Sequence, residues 1–172
     1  SREEFTSQMI QFIKEDKIRK MEIRCELPAR PEITQHSRYV FHTLQLDPDS
    51  MEIRKHFRRS NLQNIHTAVE RGVEIEFGTG LEHLKAFYTL HVMTRKKHGA
   101  PVQPWKYFSL LGKYVLDSNK GFILLARKDN EYIAGMVCLH WNKTLIAKYC
   151  ASREDCLNLR PNNCIFWEMI RW

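Results

Sequence analysis

The chain has 172 residues, 43% hydrophobic and 11% aromatic, which suits one folded domain with a full core and excludes an intrinsically disordered chain. Its 27 Lys and Arg against 20 Asp and Glu leave a net charge of +7, which favours an anionic partner such as a nucleotide phosphate, a tRNA or lipid head groups. Five cysteines, Cys25, Cys138, Cys150, Cys156 and Cys164, fall in no CxxC or zinc-type spacing and read as reduced thiols with no metal site. No apolar run reaches the roughly 20 residues of a membrane-spanning helix, and "SREEFTSQ" has no signal-peptide core, so the expectation is a cytoplasmic protein.

Residues Glu3 to Lys17 place Phe5, Met9, Phe12 and Ile13 at helical spacing. "KMEIRCEL" (20–27) alternates as a strand, and "RYVFHTLQL" (38–46), past the turn-like "PARPEITQ", reads as a second strand. Asp49 with Glu52 forms a capping pair for a helix whose stripe, Ile53, Phe57, Ile65 and Val69, stops at Gly72. Arg54, Lys55, Arg58 and Arg59 near its start oppose the helix dipole; they are either a solvated basic face or answer to a ligand.

"VEIEF" is a short strand, and "LEHLKAFYTLHVMTRKKHG" a helix stopped by Gly99. Pro101 and Pro104 bridge it to a second helix, "WKYFSLLGKYVLDS". Residues 121–152 form an antiparallel meander turned at "KDNE" and "NK", and "CIFWEMIRW" is a helix opened by an Asn162/Asn163 cap. Neither chain end shows a helix cap or breaker, so a longer parent chain is expected to run past both.

The order from Val73 onward, and the blocks "FYTLHVMTRKKHGAPVQPWKYF", "GFILLARKDNEYIAGMVCLHW", "KYCAS" and "RPNNCIFWEMIRW", resemble the Fem-like branch of the GNAT acyltransferase superfamily. That branch includes the aminoacyltransferases that build peptidoglycan cross-bridges and related acyltransferases of exopolysaccharide loci. "HTLQLD" and "IRKHFRRSNLQNIHTAVERGV" resemble the connection between two GNAT-like halves in such proteins. The resemblance implies an α/β (α+β) fold with a GNAT-like mixed, largely antiparallel sheet flanked by helices. It is incomplete at the C-terminus, because family members continue into a Gly-containing turn and further strands. The implied domains are a remnant of a first half over 1–48 (a helix and two strands), a connecting basic helix over 49–72, and a truncated acyltransferase domain over 73–172.

The implied activity is bacterial N-acyl or aminoacyl transfer to an amino group of a cell-envelope precursor or polysaccharide-related sugar. Such acceptors are anionic or lipid-linked, which implies peripheral contact with the inner membrane surface. The donor is acyl-CoA or aminoacyl-tRNA. Acetyl-CoA-dependent members wrap the pyrophosphate with a glycine-rich turn, whereas this chain has "SREDCLNLRPNN", with no glycine, and that favours the tRNA donor. The alternative is a non-catalytic GNAT-like module that binds an anionic partner. A nucleic-acid-binding domain is less supported, as no helix-turn-helix, RRM or zinc signature is present.

Tyr88, His91, Arg95 and His98 are spaced three, four and three apart and share one helix face. The resemblance implies that this face borders the acceptor cleft. Arg95 would grip an acceptor phosphate or carboxylate, and Tyr88 would orient the acceptor or move a proton. His91 and His98 are either part of that cleft or ordinary satisfied polar residues. Tyr149 and Ser152 end the strand "TLIAKYCAS", whose backbone N–H groups would face the developing oxyanion, so a hydroxyl there could protonate the leaving group. Tyr149 equally suits packing. Glu168 is a base if it faces inward and a solvated residue otherwise, and Trp105 is a cleft wall. Arg160, Asn162 and Asn163 stand where a helix start could receive a donor phosphate, or the asparagines simply cap.

Overall fold

The computed structural model describes residues 1–23, 25–35 and 42–172. They fall into two compact units, Ser1–Leu44 and Gln45–Trp172. The first unit is built on α1 (Arg2–Glu15). Contrary to the expected lack of a cap, Ser1 forms a capping box: its Oγ accepts from the Glu4 N–H at 3.2 Å while the Glu4 carboxylate accepts from the Ser1 amine. The strand expected over 20–27 does not form among its described residues. A lone extended segment leaves its ladder groups unpaired, and the described part of this unit offers it no second strand. Of the strand expected over 38–46, residues 38–41 lie outside the described ones, and 42–46 are irregular.

The second unit opens with two helices instead of one: α2 (Ser50–Lys55), capped by the Asp49 carboxylate accepting from Met51 N–H at 2.9 Å, and α3 (Arg59–Glu70). The break between them turns Phe57 edge-on to Trp167, with centroids 5.6 Å apart. Glu52 joins the ion pair with Lys55 rather than closing a capping box. Val69, expected in the buried stripe, is exposed, and Ala68 takes its place with Ile65.

A four-stranded antiparallel sheet follows in the order β1 (Glu74–Gly78), β2 (Gly121–Lys128), β3 (Glu131–Trp141), β4 (Thr144–Ser152). Both hairpins of the meander turn on two residues with positive φ, Asp129–Asn130 and Asn142–Lys143, the backbone that matches strand twist. Alternation then sorts side chains to two faces. Leu124, Ala126, Met136 and Cys138 pack against α3 and α6 (Pro161–Arg171). Ile123, Leu125 and Val137 pack against α4 (Leu81–Lys97) and α5 (Trp105–Leu111) through Leu84, Phe87, Leu90 and Phe108. Phe87 presses close to the sheet because Gly135 has no side chain; a Cβ there would stand 2.9 Å from Leu125 and 3.1 Å from Phe87.

Phe87 is wholly buried in this layer. Replacing it with alanine is expected to cost about 3–5 kcal/mol in urea unfolding. An unchanged midpoint would contradict its role in seating α4 on the sheet.

Candidate active site

Tyr149 stands on β4 opposite Val137, on the face covered by α4 and α5. The register shifts between Val137 and Cys138, so that Cys138 pairs with Ala147 and Lys148 becomes the extra residue. A bulge of this kind re-aims the neighbouring side chain. Beneath Tyr149 lie Phe108 and His91, with ring centroids at 5.5 and 5.7 Å. Its hydroxyl meets that of Tyr107, 2.8 Å away on α5. Pro104, extended at φ −63° and ψ 151°, sets the start of that helix and so the position of Tyr107. Burial, followed by the Tyr107 hydrogen bond, pushes the Tyr149 hydroxyl up to about 12, against a smaller pull downward from Arg95.

The expected stripe on α4 exists but turns largely toward its own following connector. The Tyr88 hydroxyl donates to the Gln103 carbonyl oxygen at 3.1 Å. His91 Nε2–H donates to Gln103 Oε1 at 2.8 Å, and its ring is buried, stacked on Phe87, with Nδ1 unpartnered among the described residues. Arg95 Nε–H donates to the Pro101 carbonyl oxygen at 3.0 Å. Its terminal nitrogens make no further hydrogen bond among the described residues. Trp105 packs edge-on to Tyr88 at 5.1 Å. His98 is the exposed C-terminal cap of α4 and stands outside this group.

Ser152, although only three residues past Tyr149, is oriented differently. Its backbone N–H donates to Thr94 Oγ1 at 3.1 Å, tying β4 to α4, and its Oγ accepts from Asn162 Nδ2 at 3.4 Å on α6. Neither asparagine caps α6: Arg160, at φ 57°, holds the cap position and Pro161 begins the helix, a place where a missing N–H costs nothing. Asn163 N–H donates to the Arg160 carbonyl at 3.2 Å. Glu168 lies on α6, across the sheet from Tyr149, and pairs with Arg171 at 2.9 Å. The structure therefore gathers Tyr88, His91, Arg95, Trp105 and Tyr149, joins Ser152 to Asn162, and sets Arg160, Asn163, His98 and Glu168 apart.

Tyr107 and Gln103 were not singled out by the sequence. The only signal for Tyr107 is its place just inside a helix begun by Pro104; the contact it makes spans 42 positions. The connector from β4 to α6 is a short 3-10 helix, Glu154–Leu159, with its own bonds. Arg153 is held by Glu131 and Asp155 at 2.6 and 2.7 Å, leaving little of its guanidinium for a phosphate.

A family model for the acetyltransferase (GNAT) domain matches residues 54–172. Among solved structures, the crystal structure of FemX superposes with a TM-score of 0.65 at 14% sequence identity, over 72% of this chain and 47% of that one. The chain thus spans about half the length of that protein, and at this identity the likeness is one of fold. No curated protein sequence matches.

Because Tyr149 stays protonated to about 12 when folded but ionises near the ordinary tyrosine value of about 10 when unfolded, stability should fall as pH rises from about 10 to about 12. Tyr107→Phe should move the Tyr149 ionisation down in a tyrosinate absorbance titration. An unmoved titration would show that the hydroxyl pair does not hold the proton.

Proposed function

Because the chain belongs to the acetyltransferase (GNAT) domain family, which residues 54–172 match, we propose that the protein transfers an acyl group to an amino group, with Tyr149 as the proton donor. The observation that carries this reading is the Tyr107–Tyr149 hydroxyl pair, 2.8 Å apart, on an edge strand of the sheet. Among the described residues β4 pairs with β3 on one side only, so alternate N–H groups on its other side are turned outward and can receive a developing oxyanion.

In the proposed reaction the acceptor amine attacks the acyl carbon and the bond to the leaving group breaks. The leaving sulfur or ribose oxygen gains a proton from Tyr149, the amine loses one to solvent, and Tyr149 is reprotonated from solvent, so that the enzyme ends as it began. A hydroxyl kept protonated at neutral pH can serve as that acid, and Tyr107, bonded to it, keeps the donor aimed. Arg95, whose charge pulls the Tyr149 hydroxyl downward and whose terminal nitrogens make no hydrogen bond among the described residues, would grip a phosphate or carboxylate of the acceptor. His91, Tyr88 and Trp105 shape the wall. Ser152 and Asn162 fix the end of the strand.

The proposed acceptor is an amino group on a cell-envelope precursor or a polysaccharide-related sugar, supported by the fold likeness to FemX and the charge of +7. The charge also supports work at a membrane surface; no helix among the described residues is long and apolar enough to cross one. The donor is acyl-CoA or aminoacyl-tRNA. The β4–α6 connector favours the second, since Cys156 and Arg160 N–H groups are turned onto its own carbonyls and no glycine frees them for a pyrophosphate.

Full-length protein is to be incubated with a lysine-bearing peptidoglycan precursor and, separately, labelled acetyl-CoA or labelled alanyl-tRNA. Transfer is expected from the tRNA, and transfer from acetyl-CoA alone would overturn that preference. Tyr149→Phe should lower the rate about 100-fold or more with folding intact, and Arg95→Ala should raise KM most. Wild-type turnover in Tyr149→Phe would refute its role.

A further inference from the structure

We propose that the groove between α3 and the β4–α6 connector is a phosphate-binding subsite, separate from the tyrosine cluster across the sheet, that takes the phosphate of a nucleotide or sugar phosphate. The groove has a volume of about 410 Å³ and is lined by Gln63, Asn64, Thr67, Arg71, Asn158 and Arg160, a size that suits a small ligand. Every one of these side chains is polar. Two are cations and none is a carboxylate.

Neither Arg71 nor Arg160 makes an ion pair among the described residues, although Arg127, Arg153 and Arg171 on the same unit each have carboxylate partners. Arg71 is nevertheless fixed in place: its Nη1–H donates to the Asn158 carbonyl oxygen at 2.8 Å, across the groove. One nitrogen anchors the guanidinium and the remaining donors stay available, which is the arrangement that binds phosphate oxygens through a planar fork.

The walls are set by packing. α3 buries Ile65 and Ala68 on the side that meets α6, where Cys164 and Ile165 are buried. That leaves Arg59, Gln63, Thr67 and Arg71, one at every fourth position, as a single stripe along the helix. Two arginines match the charge of a phosphate monoester. Gln63, Asn64 and Asn158 amides and the Thr67 hydroxyl both donate and accept, as the hydroxyls of an attached sugar require. A bare carboxylate would use the cations and leave these groups unused.

This proposal does not depend on the acyl-transfer reading, since no residue of the tyrosine cluster lines the groove. The test uses the full chain and calorimetric titration with AMP, glucose 1-phosphate and inorganic phosphate, with adenosine and acetate as controls. Backbone amide NMR places the site. Saturable binding of AMP or glucose 1-phosphate is expected, with shifts at residues 63–71 and 158–160. Arg71→Gln and Arg160→Gln should each weaken it about tenfold or more, and Arg71→Lys less than Arg71→Gln. AMP tighter than glucose 1-phosphate identifies a nucleotide ligand, and the reverse a sugar phosphate; both support the subsite. The proposal is overturned if adenosine or acetate binds as tightly as the phosphates, if the double glutamine variant, folded by circular dichroism, binds as wild type does, or if no phosphate saturates the chain by about 10 mM.

Discussion

Phe108 is the residue on which the tyrosine cluster is assembled. Wholly buried, it meets the rings of Phe87, Tyr88, His91, Tyr107 and Tyr149 at centroid distances of 5.2–6.0 Å. These rings come from the consecutive helices α4 and α5 and from β4, whose Tyr149 lies 42 positions beyond Tyr107. Aromatic pairs at such distances contribute about 0.5–1.5 kcal/mol each beyond the area they bury. The same packing fixes where the Tyr107 hydroxyl stands relative to Tyr149. Stability and the geometry of the polar pair therefore have one origin.

The sheet divides the unit into two chemically different surfaces. On one side, α4 and α5 bring together aromatic rings, two hydrogen-bonded hydroxyls and Arg95. On the other, α3 and α6 pack aliphatic residues and leave a polar, cationic groove at their rim. Ser152 ties the two together at the end of β4, with its backbone on Thr94 of α4 and its side chain on Asn162 of α6. A displacement of either helix would be felt at this strand end, where acyl transfer is proposed to occur.

Periodicity made the meander legible, because alternation and the two-residue polar turns at Asp129–Asn130 and Asn142–Lys143 agree on register. The helical stripe of Tyr88, His91 and Arg95 was equally plain, but its destination was not: spacing names a face and cannot say that Gln103 and Pro101 fold back onto it. Tyr107 stayed hidden because its partner lies on a distant strand. The strand expected at 20–27 had the right alternation, yet a strand exists only through pairing, which sequence pattern does not supply. Similarly, Asn162 and Asn163 have capping chemistry, but Pro161 begins the helix one residue earlier and Arg160 takes the left-handed turn.

The central claim is that Tyr107 and Tyr149 act as one proton-donating unit, held 2.8 Å apart. A double-mutant cycle on the acyl-transfer rate of the full-length protein tests it most directly. If the pair is a unit, the Tyr107→Phe/Tyr149→Phe double variant will be no slower than Tyr149→Phe alone. Losses that simply add would contradict the account.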